Sequence, residues 1–202
     1  MPELSSAKDN RRNRNFAETH RQLIVRAVAM VGTHGVDSLS VATLARDAGM
    51  NRSTVYYHFD SREALLAEVK HWVGTCLSDM LTAPGDPATR LEMVIAFVLA
   101  RPVLIHLWLM DMIAGGDINK QFPRWLGLIG MLEGGLRKAG LDGMGQLDTA
   151  EAEVWATVLV SAAIMAPRLF VFSVRRHEDP ARVAQRFAQA FAKLQKALDV
   201  RR

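Results

Sequence analysis

A run of polar side chains from position 51 to 58 has the chemistry needed to contact a nucleic acid. It consists of Asn51, Arg52, Ser53, Thr54, Tyr56, Tyr57 and His58. Every one of these side chains can form hydrogen bonds, and no carboxylate lies among them. An arginine can donate two parallel hydrogen bonds to the O6 and N7 atoms of guanine, and short hydroxyl side chains let a backbone approach DNA closely. The composition of the run therefore favours contact with base edges and phosphates.

The apolar residues around this run indicate two short helices that would hold it in place. Ser40 can cap the first helix, on which Leu44 and Ala45 share one face. Gly49 can supply a left-handed turn, after which Val55 of the second helix points back at Ala45. This spacing is typical of a helix-turn-helix. An ordinary hairpin of two helices with a polar outer face is the alternative that spacing alone leaves open.

Residues on both sides of the second helix extend the predicted contact surface. Ser40 and Thr43 offer hydroxyl groups at the positive end of the first helix, where a phosphate would be stabilised. Arg62 offers a guanidinium at the start of the next helix. His58 has no cysteine, histidine or carboxylate at metal-ligand spacing, so we predict no metal site there. The predicted DNA-binding residues are Ser40, Thr43, Arg52, Ser53, Thr54, Tyr56, Tyr57, His58 and Arg62.

The sequence TVYYHF, followed by DSREALLAEV, resembles the signature of the TetR (tetracycline-repressor) family of transcription regulators. That signature reads T-[VL]-Y-x-[HY]-F, then a short polar link and [KR]-x-x-L-L. The resemblance runs from about Gln22 to Val69. Arg62 stands where the family usually has lysine, which changes the geometry of a phosphate contact. The resemblance implies a recognition helix in the major groove, an effector cavity between helices 4 and 8, and a dimer interface formed by helices 8 and 9.

The C-terminal part is rich in methionine and tryptophan, which line adaptable cavities but also fill cores. Together with the resemblance, this predicts a site for an apolar or amphipathic small molecule. The predicted ligand-binding residues are Trp72, His106, Trp108, Met112, Phe122, Trp125 and Met165. The predicted dimerisation residues are Trp155, Leu159, Val183, Phe187, Phe191 and Leu194.

Positive charge is concentrated ahead of the predicted helix-turn-helix. The segment from Lys8 to Arg26 contains six basic and two acidic residues, so its net charge of +4 equals that of the whole chain. Such a cluster suits a polyanionic partner. We expect residues 1–15 to be a flexible basic arm. The single cysteine, Cys76, excludes an internal disulfide and is interpreted as a small core residue.

Glycine, proline and capping residues divide the chain into about nine helices, with no alternation of the kind that predicts strands. The predicted caps include Asp60 for the fourth helix, Asp86 for the fifth, and Asp148 with Glu151 for the eighth. The predicted fold class is all-α. Residues 16–60 are expected to form the helix-turn-helix domain, with helix 1 beginning at Phe16, and residues 61–202 a ligand-binding and dimerisation bundle. The longest nearly apolar run, Val154 to Pro167, is shorter than the roughly 20 residues that span a bilayer. We therefore expect a cytoplasmic protein with no membrane contact.

These features predict a regulator, most readily a repressor, that binds a palindromic operator as a homodimer and is released by a small effector. No cofactor is expected. A small-molecule carrier bundle without specific DNA binding is the alternative. An enzyme is the third hypothesis, on the pairs His106 with Asp111 or Asp117 with Glu133, but no nucleophile motif, phosphate loop or metal set accompanies them.

Overall fold

The computed structural model describes residues 3–115, 124–139, 148–174 and 178–199. These parts of the chain contain nine α-helices, one short 3₁₀ turn and no strand, which confirms the predicted all-α class. The helices are α1 (Glu3–His34), α2 (Val41–Ala48), α3 (Arg52–His58), α4 (Arg62–Thr82), α5 (Pro87–Ala100), α6 (Pro102–Ile113), α7 (Trp125–Ala139), α8 (Thr149–Ser173) and α9 (Pro180–Asp199). The 3₁₀ turn, Val36–Ser38, joins α1 to α2.

The first helix is longer than the sequence indicated. We predicted a flexible arm over residues 1–15 and a helix from Phe16, whereas α1 already begins at Glu3. No proline lies between Glu3 and His34 and no glycine precedes Gly32, and the early residues include good helix formers such as alanine, leucine and lysine. Charge density alone is therefore a poor indicator of an unstructured arm.

Local capping signals set the boundaries of the short helices. Gly35 follows α1 with φ of 84°, and Gly49 ends α2 with φ of 65°, both in the left-handed region that glycine adopts without steric cost. Ser40 caps α2, as predicted: its Oγ accepts a hydrogen bond from the Thr43 N–H at 3.1 Å. Because Gly49 and Asn51 lie so close together in sequence, α3 begins almost immediately after α2 ends.

The cap of α4 differs from the sequence-based prediction. We expected Asp60 to cap this helix, but Ser61 does so, with its Oγ accepting from the Ala64 N–H at 3.1 Å. Ser61 satisfies the Ala64 N–H group, one residue later than the Glu63 N–H group that a cap at Asp60 would have bound. The predicted caps of α5 and α8 are confirmed: Asp86 accepts from Thr89 N–H, and Asp148 forms a reciprocal capping box with Glu151.

A continuous core joins the helix-turn-helix to the C-terminal bundle. Leu23 of α1, Leu65 of α4 and Trp108 of α6 are all fully buried and belong to one cluster. Helix α4 packs against α1 as well as α5, α6 and α7, so it connects the two ends of the molecule. On the other side, α9 packs against α5, and α8 packs against α7 and α5.

Helix α8 is long and apolar enough to cross a membrane by length and composition, and only 22% of its most apolar stretch is buried within the subunit. Helices α5 and α6 would reach that threshold as a pair, but they meet at a bend of 100°. The expectation that no segment is long enough counted only residues 154–167, and the observed helix extends beyond both ends of that run. Core helices of water-soluble proteins meet the same criterion.

Candidate nucleic-acid interface

Helix α3 is held by a single apolar anchor and exposes its other side chains. Val55 is fully buried, whereas Arg52, Ser53 and Thr54 are exposed. The tyrosines that follow are also exposed, Tyr56 by 53% and Tyr57 by 64%. A helix of seven residues with one buried side chain presents most of its surface to a partner. The structure thus brings five of the predicted contact residues together on one accessible element.

A concavity of about 310 Å³ lies between α2 and α3 on this surface. Thr43 and Arg52, both predicted contact residues, line it together. Arg46 and Asn51 line it as well, although the predicted set did not include them. Arg46 lies three residues after Thr43 and so shares its face of α2, which is the signal that could have identified it. Two arginines and two short polar side chains therefore surround one depression.

The N-terminus of α2 is organised by a small hydrogen-bond network. Thr43 Oγ1 accepts from the Ser40 N–H at 2.8 Å and lies 2.9 Å from the Ser38 carbonyl oxygen, to which it donates. Ser40 Oγ lies 2.9 Å from the same hydroxyl. Both predicted phosphate contacts thus also fix the start of the helix. The N–H groups of the first turn have no acceptor within the helix, which makes this end attractive to an anion.

His58 does not lie on the exposed face of α3, contrary to our prediction. Its ring stacks on Phe16 of α1, with 4.3 Å between the centroids, and lies 5.6 Å from the ring of His20. Its Nδ1 atom is buried with no hydrogen-bond partner. Burial, and then the proximity of His20, hold the pKa of His58 below its ordinary value. The last turn of α3 faces α1, so this residue packs inside the domain.

The Arg62 guanidinium, which we predicted to contact a phosphate, is hydrogen-bonded within the protein. Its Nε donates to the Leu39 carbonyl oxygen at 2.8 Å, and its Nη2 donates to the Val36 carbonyl oxygen at 3.0 Å. The guanidinium is therefore directed at the turn that precedes α2. These two acceptors lie 23 and 26 residues earlier in the chain, so no local sequence pattern indicates them.

Ion pairs reduce the basic character of α1. Arg21 pairs with Glu18 at 2.7 Å, and Arg26 pairs with Asp47 of α2 at 3.2 Å. The second pair joins α1 to α2, since Arg26 also donates to the Asp47 carbonyl oxygen at 3.0 Å. Part of the positive charge in this segment is therefore neutralised by ion pairs within the domain.

Among the described residues of the predicted ligand-binding set, some pack into the core and others are exposed. Trp108 is fully buried in the core, and Trp72 packs against Phe97 with 6.0 Å between ring centroids. Met112 and Trp125 pack against the same core, whereas His106 and Met165 are exposed. Phe122 lies outside the described residues. The buried and half-buried members of this set fill the interior where we expected an open space, because soft apolar residues serve both purposes.

An apolar groove of about 350 Å³ lies elsewhere, bounded by the end of α4, the start of α5, and helices α7, α8 and α9. Small side chains of α8, including Ala163 and Ala166, form its floor beside Phe187 and Phe191 of α9. Among the described residues that line it, Arg90 is the one that carries a charge. The sequence-based set missed this groove because alanines carry no signal for a cavity.

The predicted dimerisation residues fall into three groups. Leu159 is exposed, and Trp155, Phe187 and Phe191 are half-buried. Val183 is fully buried within its own subunit, so its assignment to an interface is corrected: it attaches α9 to the core. The side chain of Leu194 lies outside the described residues.

Helix α8 carries an apolar stripe that the sequence-based set did not include. Its members lie four, seven, four and three residues apart and therefore share one helical face, opposite the buried face that holds Ala156 and Val160. We call this set the α8 stripe: Val154, Val158, Met165, Leu169 and Phe172, each at least 40% exposed.

Comparison with known proteins agrees with this arrangement. Residues 23–69, which span the end of α1 through the first third of α4, match the family described as "Bacterial regulatory proteins, tetR family". A curated relative, the HTH-type transcriptional regulator AcrR of Shigella flexneri, is 26% identical over 91 residues. That match covers 43% of this chain and 42% of the length of the relative.

Solved structures resemble nearly the whole chain. A candidate transcriptional regulator of Pseudomonas aeruginosa PAO1 is 26% identical, with a TM-score of 0.58 and coverage of 90% of this chain and 91% of its own. A tetR-family transcriptional regulator of Streptomyces coelicolor, at 19% identity, shares the fold with a TM-score of 0.60 and coverage of 92% and 84%. A regulator of Saccharomonospora viridis, solved in complex with choline, shares it at 18% identity, with a TM-score of 0.58 and coverage of 88% and 96%. The matching helix-turn-helix signature assigns residues 23–69 of this chain to the tetR family of bacterial regulatory proteins, and the same all-helical architecture continues around them.

Proposed function

We propose that this protein regulates transcription from the cytoplasm by binding a palindromic DNA operator through α2 and α3, as a homodimer. The observation that carries the proposal is the exposed face of α3. Arg52, Ser53 and Thr54 lie on this face, whereas Val55 is the buried residue that anchors the helix. Arg52 would read guanine in the major groove, and the N-terminus of α2 would hold a phosphate. Residues 16–60 would be the DNA-binding domain, although α1 begins earlier.

The homodimer is supported by the α8 stripe. A row of side chains such as Val154, Leu169 and Phe172, each exposed by more than 60%, loses water contact when a second copy packs against it. A two-fold dimer also presents two recognition helices to the two half-sites of a palindrome, with centres roughly 34–36 Å apart. The half-buried Trp155, Phe187 and Phe191 border this face.

A small apolar or amphipathic effector would release the protein from DNA, which makes repression the simplest mode of regulation. The apolar groove beside α8 and α9 supports a binding site for such a molecule, since its described lining residues are apolar apart from Arg90. Helix α4 ends at this groove, at Leu81, and begins beside the helix-turn-helix, at Arg62. A ligand shifts the two states only by its difference in affinity for them, and DNA must then weaken ligand binding by the same factor.

Titration of the protein with duplex DNA from upstream of its own gene tests the proposal. We expect a discrete complex that a random duplex competes for weakly, and whose affinity falls steeply with salt because phosphate contacts release counterions. The double variant Arg52→Ala, Thr54→Ala removes contact groups from an exposed surface and should lose the preference for this DNA. Equal affinity of the wild type for both duplexes would contradict specific regulation at this site.

A carrier bundle without specific DNA binding remains the second candidate, because the same groove would serve it. An amphipathic fluorescent probe such as anilinonaphthalene sulfonate distinguishes the two. Under both hypotheses, Ala163→Trp fills the groove and blocks probe binding. Under the regulator hypothesis, the upstream duplex lowers the affinity of any groove ligand that acts as an effector. Under the carrier hypothesis, DNA has no effect on any groove ligand.

A further inference from the structure

The guanidinium of Arg62 is bound inside the protein, at the turn that leads into α2. Its Nε and Nη2 donate to the carbonyl oxygens of Leu39 and Val36, at 2.8 and 3.0 Å. The Asp37 carboxylate lies 3.8 Å from Nη2 but is fully exposed, so the carbonyl contacts dominate. Arginine presents its donors in a rigid planar fork, and here that fork spans both ends of the 3₁₀ turn.

The turn held by Arg62 continues directly into the predicted phosphate-binding site. Leu39, whose carbonyl oxygen accepts from Nε, precedes Ser40, the cap of α2. Ser38, within the turn, accepts from Thr43 Oγ1 at 2.9 Å. The Arg62 side chain and the 3₁₀ turn therefore connect the start of α4 to the first turn of α2 through hydrogen bonds. This connection is separate from the covalent one, which passes through α3 and residues 59–61.

We propose that Arg62 is a positioning residue, which fixes the N-terminus of α2 to α4 and does not itself bind a DNA phosphate. This inference rests on the proposed DNA-binding function and assigns a role within it. A movement of α4 would then displace the Ser40 and Thr43 hydroxyls together with the turn, in addition to tilting α3. A phosphate contact by Arg62 would require the guanidinium to leave two carbonyl oxygens, one of them on Leu39, whose side chain is fully buried.

Salt dependence of binding to a short random-sequence duplex distinguishes a positioning residue from a phosphate contact. For Arg62→Ala, we expect affinity to fall by at least about threefold, while the slope of log K against log salt stays as in the wild type. A phosphate contact would instead lower that slope by about 0.9. Arg46→Ala, which removes an exposed cation from the concavity beside Thr43, is the control in which the slope should fall.

The conservative variant Arg62→Lys provides the second arm. A lysine supports a phosphate contact as a point charge, but it lacks the planar fork that addresses both carbonyl oxygens. We therefore expect Arg62→Lys to bind DNA as weakly as Arg62→Ala. Recovery of wild-type affinity in the lysine variant, or a reduced salt slope in the alanine variant, would overturn the proposal.

Amide hydrogen exchange tests the positioning without DNA. Both Arg62 variants should exchange faster at the Thr43 and Leu44 amides, whose acceptors are the Ser40 hydroxyl and carbonyl oxygens. The Phe59 amide, bonded to the Val55 carbonyl oxygen, should keep its protection, which shows that the domain remains folded. Asp37→Asn is the matched control and should leave α2 unchanged.

The exchange measurement and the DNA-binding measurement together distinguish failure of the positioning role from failure of the proposed function. If α2 exchange is unaffected by both Arg62 variants, the positioning role is wrong whether or not the protein binds DNA. If exchange changes as expected but the wild-type protein does not bind duplex DNA at low salt, the proposed function fails, and the role of Arg62 in DNA binding fails with it.

Discussion

Arg52 has the most specific expected role of any single residue in this protein. It is exposed on the first turn of α3 and lines the concavity between α2 and α3 with Arg46 and Asn51. A guanidinium in that place can donate to two atoms of a guanine edge, whereas the neighbouring hydroxyls offer single hydrogen bonds. Sequence discrimination should therefore depend on Arg52 more than on the residues that surround it.

We expect Arg52→Ala to reduce discrimination at one base position by about 1–3 kcal/mol. The measurement compares affinities for the operator and for single-base variants of it. Ser53→Ala is the control, since its short side chain should contribute less. An Arg52→Ala protein that lost affinity for every duplex by the same factor would show that the residue contacts only phosphates.

His58 makes the stability of the helix-turn-helix depend on pH. Burial and His20 keep the pKa of His58 below its ordinary value, so the unfolded chain takes up a proton more readily than the folded one. The stability associated with neutral His58 is fully present above pH of about 6.5 and decreases as pH falls below it. A protonated His58 would carry its charge against the Phe16 ring, and its Nδ1 would have no hydrogen-bond acceptor within the protein.

Thermal melting at pH values on both sides of 6.5 tests this expectation. The wild type should lose more stability on acidification than His58→Tyr, which keeps a ring against Phe16 but does not titrate in this range. His106→Tyr, at an exposed position on α6, should behave like the wild type. Identical acid sensitivity of the wild type and His58→Tyr would refute this role of His58.

At the scale of elements, the turn between α2 and α3 depends on a backbone conformation that favours glycine. Gly49 has φ of 65°, and its N–H caps α2 by donating to the Arg46 carbonyl oxygen at 3.2 Å. A side chain in the left-handed region brings Cβ close to the following carbonyl oxygen. The crossing of α2 and α3, and with it the shape of the concavity, therefore depends on this one residue.

Gly49→Ala should destabilise the protein by about 1–2 kcal/mol through this backbone strain. Urea denaturation measures the change. Gly127→Ala is the matched control: Gly127 lies within α7, and a Cβ there would meet nothing within 4 Å. That change should stabilise by about 0.5–1 kcal/mol, since alanine favours a helix over glycine. A neutral or stabilising Gly49→Ala would mean that the turn relaxes without strain.

At the scale of the whole molecule, the α8 stripe determines the expected assembly. Its apolar side chains lie opposite the face of α8 that packs on the subunit, and each is at least 40% exposed in the single chain. They are therefore a place where a charge should disrupt association without disturbing the core.

Val158→Arg should convert the protein to a monomer that keeps its helical content, because two arginines would be buried against each other across a two-fold axis. Sedimentation equilibrium measures the mass, and circular dichroism checks the fold. Ile113→Arg, at a 71% exposed position on α6, is the control and should leave the assembly intact. A Val158→Arg protein with the wild-type mass would exclude the stripe as the interface.

Local interactions explain which features the sequence determined by itself. The caps at Ser40, Asp86 and Asp148 and the turn at Gly49 depend on residues within four positions of each other, so the sequence pattern is sufficient to predict them. The exposed face of α3 follows from the same helical period once Val55 is assigned to the core. The all-α class and the helix-turn-helix were predictable for this reason.

Only the tertiary structure decided which neighbour each remaining side chain meets. His58 faces α1 because a helix about 40 residues earlier in the chain crosses the end of α3, and Arg62 meets carbonyl oxygens 23 and 26 residues away. Trp108 fills the core, whereas the groove opens among alanines of α8, although tryptophan and methionine had suggested the reverse. Periodicity specifies the face of a helix on which a residue lies, but the packing of distant helices decides whether that face meets core, cavity or solvent.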